Sequence, residues 1–182
     1  MPTRPDNRIY SLAIHPNGGT PLEQTATRLW KRMGREERLA AARHFFDQPP
    51  AELLGSAIAA LVKARHLRPQ VARAMAADEQ ARALAAVSDP GESLASGLVV
   101  ALHLAERRAI LKTFLDAAGL PHEDGLLKED DDGAPLSETQ ARAGVAALRA
   151  AFPREQVDLY LNALWLQDSE RWAVLEGSAD WP

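Results

Sequence analysis

From Leu22 to Leu175, apolar side chains recur every three to four positions, with no persuasive strand pair among them. That spacing lays oily groups along one face of a 3.6-residue helix, and such faces are buried by packing rods side by side. The pattern predicts an all-α fold. Seven or eight helices with short connections suggest a bundle or an irregular HEAT-like array. No motif is shared between the two halves, so a true repeat solenoid is the less favoured arrangement.

Punctuation residues divide the chain. Residues 1–19 read as an extended or partly ordered arm, broken by Pro2, Pro5, Pro16, Gly18 and Gly19. Thr20, Pro21 and Glu23 form a capping-box signal for a first helix carrying Leu22, Ala26, Leu29, Trp30 and Met33, with Gly34 as its stop. A second helix is expected from about Arg35 to Asp47, ended by Gln48-Pro49-Pro50. A third opens at Pro50 with a stripe of Leu53, Leu54, Ala57, Ile58, Leu61 and Val62. A fourth opens at Pro69 and continues through Val71, Met75, Leu84 and Val87.

The Ser88-Asp89-Pro90-Gly91 turn separates two lobes, 20–87 and 92–176, of a single helical domain. A long central helix is expected over about 92–118, because Leu94, Leu98 and Leu102 form one stripe and Val99, Ile110 and Phe114 another. Gly119, Leu120 and Pro121 mark its end. After a polar loop, Ser137 and Gln140 make a second capping box. Pro153 opens a further helix, Asp168 or Ser169 a short last one, and 177–182 form a tail in which Trp181 has no periodic partner.

Composition narrows the chemistry. The 182 residues include no cysteine, which excludes disulfides, thiolate metal sites and a cysteine nucleophile. No stretch approaches the roughly 20 apolar residues of a membrane span. A cytoplasmic protein without membrane attachment is the expectation. Net charge is −4 overall but divided: residues 1–88 hold 13 basic against 8 acidic side chains, residues 89–182 hold 8 against 17. Such polarity can steer docking to a protein partner or head-to-tail self-association.

Polar groups on two segments form a candidate site: His103, Glu106 and Arg107 on the central helix, and His122, Glu123 and Asp124 in the loop after it. His103 and Glu106 lie three apart, a spacing compatible with a metal or an acid–base pair. The apolar neighbours Val99 and Ile110 favour instead a hydrogen-bonded core histidine with Glu106 as partner. Pro121-His122-Glu123-Asp124-Gly125 could hold a cation, but Asp-Gly is also ordinary turn chemistry. The acidic run Glu129–Asp132 before Gly133 fails an EF-hand alignment, since Lys128 would fall at the first ligand and Thr139 at the bidentate glutamate. No metal site and no cofactor are therefore assigned. Arg28, Lys31, Arg32, Arg35 and Arg38 make a basic patch, interrupted by Glu36 and Glu37 in a protein of pI about 5.7. Nucleic-acid binding there is the least favoured reading.

No phosphate loop, dinucleotide fingerprint, Gly-x-Ser-x-Gly elbow or His-Glu-x-x-His helix occurs. The leading expectation is a non-enzymatic helical interaction module, an adaptor or regulator. Its rival is an all-α enzyme or a small-molecule- or metal-binding protein whose pocket lies between helices and gathers the candidate polar groups.

Overall fold

The computed structural model describes residues 25–128 and 133–181. Nine α-helices occur among them: α1 Ala26–Arg32, α2 Arg35–Asp47, α3 Ala51–Arg65, α4 Pro69–Ala74, α5 Ala77–Ala85, α6 Glu92–Glu106, α7 Arg108–Ala117, α8 Glu138–Ala151 and α9 Arg154–Gln167. A two-residue hairpin, β1 His122–Glu123 and β2 Leu126–Leu127, follows α7, and a 3₁₀ helix spans Ala173–Asp180. The all-α expectation holds.

Local chemistry sets most of the ends. Gly34 stops α1 and serves as the N-cap of α2, its N–H donating to the Glu37 carboxylate at 2.7 Å. Ser137 and Gln140 form the capping box of α8, each side chain accepting the other's backbone N–H at 3.3 Å. Gly119, at φ +67°, ends α7 in a Schellman motif: Leu120 N–H reaches Leu115 C=O at 2.9 Å and Gly119 N–H reaches Asp116 C=O at 3.1 Å. The Thr20–Glu23 capping signal and the 1–19 arm lie outside the described residues. Thr25 is itself the extended N-cap of α1, so this helix starts at Ala26. A long-range contact reinforces that start. The Glu92 carboxylate, at the head of α6, accepts the N–H of Ala26 and, at 3.0 Å, the hydroxyl of Thr27. An acidic group at a helix N-terminus satisfies orphan donors and complements the dipole.

Two stretches read as single helices are each broken. The expected fourth helix divides into α4 and α5, because Met75 and Ala76 are extended. The buried Gln80 side chain makes the break tolerable by donating to the freed Ala72 carbonyl at 2.8 Å. The long central helix is interrupted at Arg107 (φ −128°, ψ 26°) and becomes α6 and α7. Arg107 is drawn out of helical geometry toward α2, where its guanidinium pairs with Glu37. The last helix is 3₁₀ rather than α, entered through a turn in which Asp168 Oδ1 accepts the Arg171 N–H at 3.0 Å.

The break at Arg107 separates two apolar clusters. The first joins α1 to α6 around Trp30, Phe45, Leu61, Leu84, Leu98 and Leu102. Trp30 is fully buried, and its indole N–H donates to Val87 C=O at 2.7 Å. The second joins α7, α8, α9 and the 3₁₀ helix around Ile110, Phe114, Leu148 and Trp172. α9 serves both, giving Leu159 and Ala163 to the first and Val157, Tyr160 and Leu161 to the second. α7 and α8 approach closely at Gly144, where a Cβ would lie 2.6 Å from the Phe114 ring. Trp181 folds back on α8: Arg142 stacks over its ring at 4.7 Å and the Arg149 guanidinium binds its carbonyl.

Candidate functional site

The six candidate polar residues are placed apart. Glu106 is exposed on α6, beside a surface depression formed with α2. It is not the partner of His103. On the hairpin, Asp124 and Gly125 both have positive φ (+48° and +86°), the I′ pattern that Asp-Gly suits. Asp124 accepts Arg108 at 2.8 Å and Lys112 at 3.3 Å, and these hydrogen bonds hold its carboxyl below the usual range. His122 Nε2 donates to Asp116 at 3.0 Å while its Nδ1 accepts the Gly125 N–H at 3.2 Å. These contacts fasten the hairpin to α7. Glu123 is exposed. No group of three or more metal-ligating side chains occurs among the described residues.

The basic patch is likewise divided by its contacts. Arg38 caps the end of α1, donating to Lys31 C=O at 2.7 Å and Met33 C=O at 3.1 Å, and lies over the Trp30 ring. Lys31 faces Asp89 at 4.0 Å. Arg28, Arg32 and Arg35 are exposed.

Two cavities involve the buried members of the set. One, of about 420 Å³, is bordered by Arg32, Glu37, Arg107 and Glu155. Arg107 is nearly buried there, and its Nη1 has no hydrogen-bond partner among the described residues. Glu37 already neutralises it, however, and Glu155 adds a second negative charge. An incoming anion would meet two carboxylates, and an incoming cation would meet two guanidinium groups.

The other cavity, of about 260 Å³, lies between α6, α7, α9 and the hairpin. Its walls include Val100, Leu104, Leu111, Leu115 and Leu164, with Gly125, Leu126 and Leu127 of the hairpin on one side and Trp172 and Gln167 on another, and it is open to solvent. Gly125 permits this wall, since a Cβ would stand 3.0 Å from the Leu111 Cβ. Within the apolar lining sit two polar side chains with ionisable heads, His103 and Tyr160, their rings 5.4 Å apart. Burial alone raises the Tyr160 hydroxyl's pKa, so it stays a neutral phenol.

His103 is 3% exposed. Its Nδ1 lies 2.8 Å from the Val99 carbonyl one turn back. A carbonyl only accepts, so Nδ1 carries the proton. In the neutral ring Nε2 is then a bare acceptor. Nε2 has no partner among the described residues. Burial pushes the imidazole down to about 4; the nearby Arg107 charge adds to that, while the Val99 hydrogen bond and Glu37 oppose it. The ring is neutral at physiological pH, and leaving its lone pair buried and unmet costs roughly 1–3 kcal/mol. The periodicity around Val99 and Ile110 pointed to His103 as a core residue. Tyr160 falls on the periodic stripe of the helix opened by Pro153, whereas the hairpin wall gave no comparable signal. No family model, no curated protein and no solved structure matches this chain.

Proposed function

We propose that this chain is a small-molecule-binding helical protein whose site is the apolar cavity between α6, α7, α9 and the hairpin. One observation carries the reading: a cavity walled mainly by leucine, valine and aromatic side chains is bordered by a few polar groups, the buried His103 and Tyr160 and the Gln167 amide. Small-molecule sites characteristically combine an apolar lining with a few placed polar groups. At about 260 Å³ the cavity falls just below the roughly 300–1,000 Å³ of drug-sized sites, which points to a compact ligand. Saturation-transfer NMR with a set of compact neutral aromatic and alicyclic compounds tests this. Several should bind the native chain and lose binding in Ala163→Leu, which fills the cavity from α9, with circular dichroism confirming that the variant folds. Absence of binding to the native chain, or equal binding to the folded variant, overturns the reading.

A second reading, docking of a protein, is favoured by the outer side of α3. Between Glu52 and Lys63 that helix carries no charge, and Leu54, Gly55, Ser56 and Ala59 are exposed. In its self-association form this reading expects a dimer by light scattering, dispersed by Leu54→Glu. A monomer at both low and high salt removes that form.

A further inference from the structure

We infer that the compact group held in this cavity is the apolar end of a neutral amphiphile, whose uncharged, hydroxyl-rich head lies in an adjoining cavity of about 360 Å³ between α2, α3 and α6. This deepens, and rests on, the reading of the apolar cavity as a ligand site. The two cavities share Val100, Leu104 and Gln167 in their linings. Ser93, Ser96, Gly97, Val100 and Leu104 recur at three- and four-residue spacing, so a single face of α6 runs under both. From Ser93 to Leu104 that face is about 16 Å long at the ordinary helical rise, a length that suits a ring joined directly to one sugar. Both cavities are open to solvent, so a ligand can lie across the shared residues without a passage through the core.

The two ends differ in kind. Beside the hairpin the lining is mainly leucine with the Tyr160 and Trp172 rings. At the α2–α3 end His44, Gln48, Ser93, Ser96 and Gln167 stand around Pro50 and Leu53. Hydroxyl and amide side chains both donate and accept, which matches a head group rich in hydroxyls. Gln167 joins the two ends: its amide N–H donates to Ser96 at 3.4 Å on the polar side, and the same residue borders the apolar cavity. Among the described residues no Asp, Glu, Lys or Arg lines either cavity, although 25% of the chain is charged. A carboxylate, phosphate or ammonium head would lose water there without gaining a counter-charge.

The test uses five probes: 4-methylphenyl β-D-glucoside, toluene as the ring alone, methyl β-D-glucoside as the head alone, and 4-methylphenyl phosphate and 4-methylbenzylammonium as charged counterparts. Titration calorimetry on the native chain should place the aryl glucoside at least tenfold tighter than each of the other four. Ser93→Trp, at an exposed position, fills the polar cavity; the aryl glucoside should then fall to within threefold of toluene, with toluene itself unchanged. Ala163→Leu should lose both. Should Ser93→Trp fail to fold by circular dichroism, Gln48→Ala, also at an exposed position, should weaken the aryl glucoside at least threefold and leave toluene as it was. If toluene binds and the aryl glucoside binds no tighter, or if its advantage survives in folded Ser93→Trp, the assignment of the head group is wrong and the apolar cavity remains a ligand site. A charged counterpart that binds as tightly as the glucoside overturns the selection for neutrality. If no probe binds, the inference falls together with the reading beneath it.

Discussion

Replacing His103 by leucine should change how the protein's stability responds to acid. In the folded chain the imidazole is held near pKa 4, against 6.5 for an unperturbed histidine. Between those values the unfolded chain binds a proton that the native chain refuses. Stability therefore rises with pH across that window: the contribution is complete above about pH 6.5 and is lost as pH falls toward 4. Taking the two values together, acidification from about pH 7 to 4.5 removes about 2.5 kcal/mol through this one group. That is a large share of the roughly 5–15 kcal/mol of a typical domain.

The leucine variant has no such group, so its acid sensitivity should be smaller by that amount. Other carboxylates titrate alike in both proteins and cancel in the comparison. Asp124, held low by Arg108 and Lys112, contributes stability that is lost only at still lower pH. Tyr160 titrates on the alkaline side. Arg107 and Glu37, the charges felt by the ring, are present in both. At neutral pH the substitution should be close to neutral or stabilising by about 1 kcal/mol, since it removes the unmet Nε2 at the cost of one neutral hydrogen bond. Urea unfolding followed by circular dichroism at about pH 7 and 4.5 gives both numbers. Equal acid-induced losses in the two proteins would refute the claim that His103 is buried neutral with an unmet nitrogen.

Further substitutions probe the scaffold around the site. Gly144→Ala should destabilise by about 1–2 kcal/mol in chemical unfolding, because the new methyl meets the Phe114 ring at 2.6 Å and overpacking outweighs the helix preference for alanine. Gly55→Ala on α3, with open space around its Cα, should do the reverse and stabilise by about 0.5–1 kcal/mol. Glu92→Ala should cost about 1–2 kcal/mol and speed hydrogen exchange at the Ala26 and Thr27 amides, whose shared acceptor is removed. Glu37→Gln leaves the nearly buried Arg107 without its counter-charge and should cost about 3 kcal/mol in thermal unfolding, whereas pairing it with Arg107→Met should recover most of that loss.

The helix ends that were legible in the sequence are those made by neighbouring residues. Gly34 before α2 and Gln48-Pro49-Pro50 after it bracket Arg35–Asp47 at both ends, and the Ser137–Gln140 box and Gly119–Leu120 motif act within a few positions. The breaks at Met75 and Arg107 are made from a distance. Gln80 replaces a lost helix bond eight residues away, and Glu37 pulls on Arg107 across 70 residues of chain. Neither break carries a proline or glycine, and the four-residue row Leu94, Leu98, Leu102, after one lapse at the exposed Glu106, resumes in phase at Ile110 and Phe114. Periodicity is blind to a bend that keeps its phase.

The cavity shows the same division, and helix geometry accounts for the partner that was misread. Side chains on an α-helix lean toward its N-terminus, so a histidine reaches the carbonyl of the preceding turn more readily than a side chain ahead of it. His103 meets Val99, four positions back, and Glu106, three positions ahead, turns away to solvent. That backward lean also fixes which nitrogen keeps the proton, leaving Nε2 the bare acceptor. The hairpin wall had no such rule to announce it. Two-residue strands are too short for alternation, and Asp124-Gly125 specifies a turn without specifying what lies beneath it. The positive φ of Gly125 and its close approach to Leu111 both call for a glycine there, and the hairpin so placed borders the space beside His103. The tautomer follows from the geometry of one helix, whereas the cavity beside the ring required the packing of three helices and a hairpin.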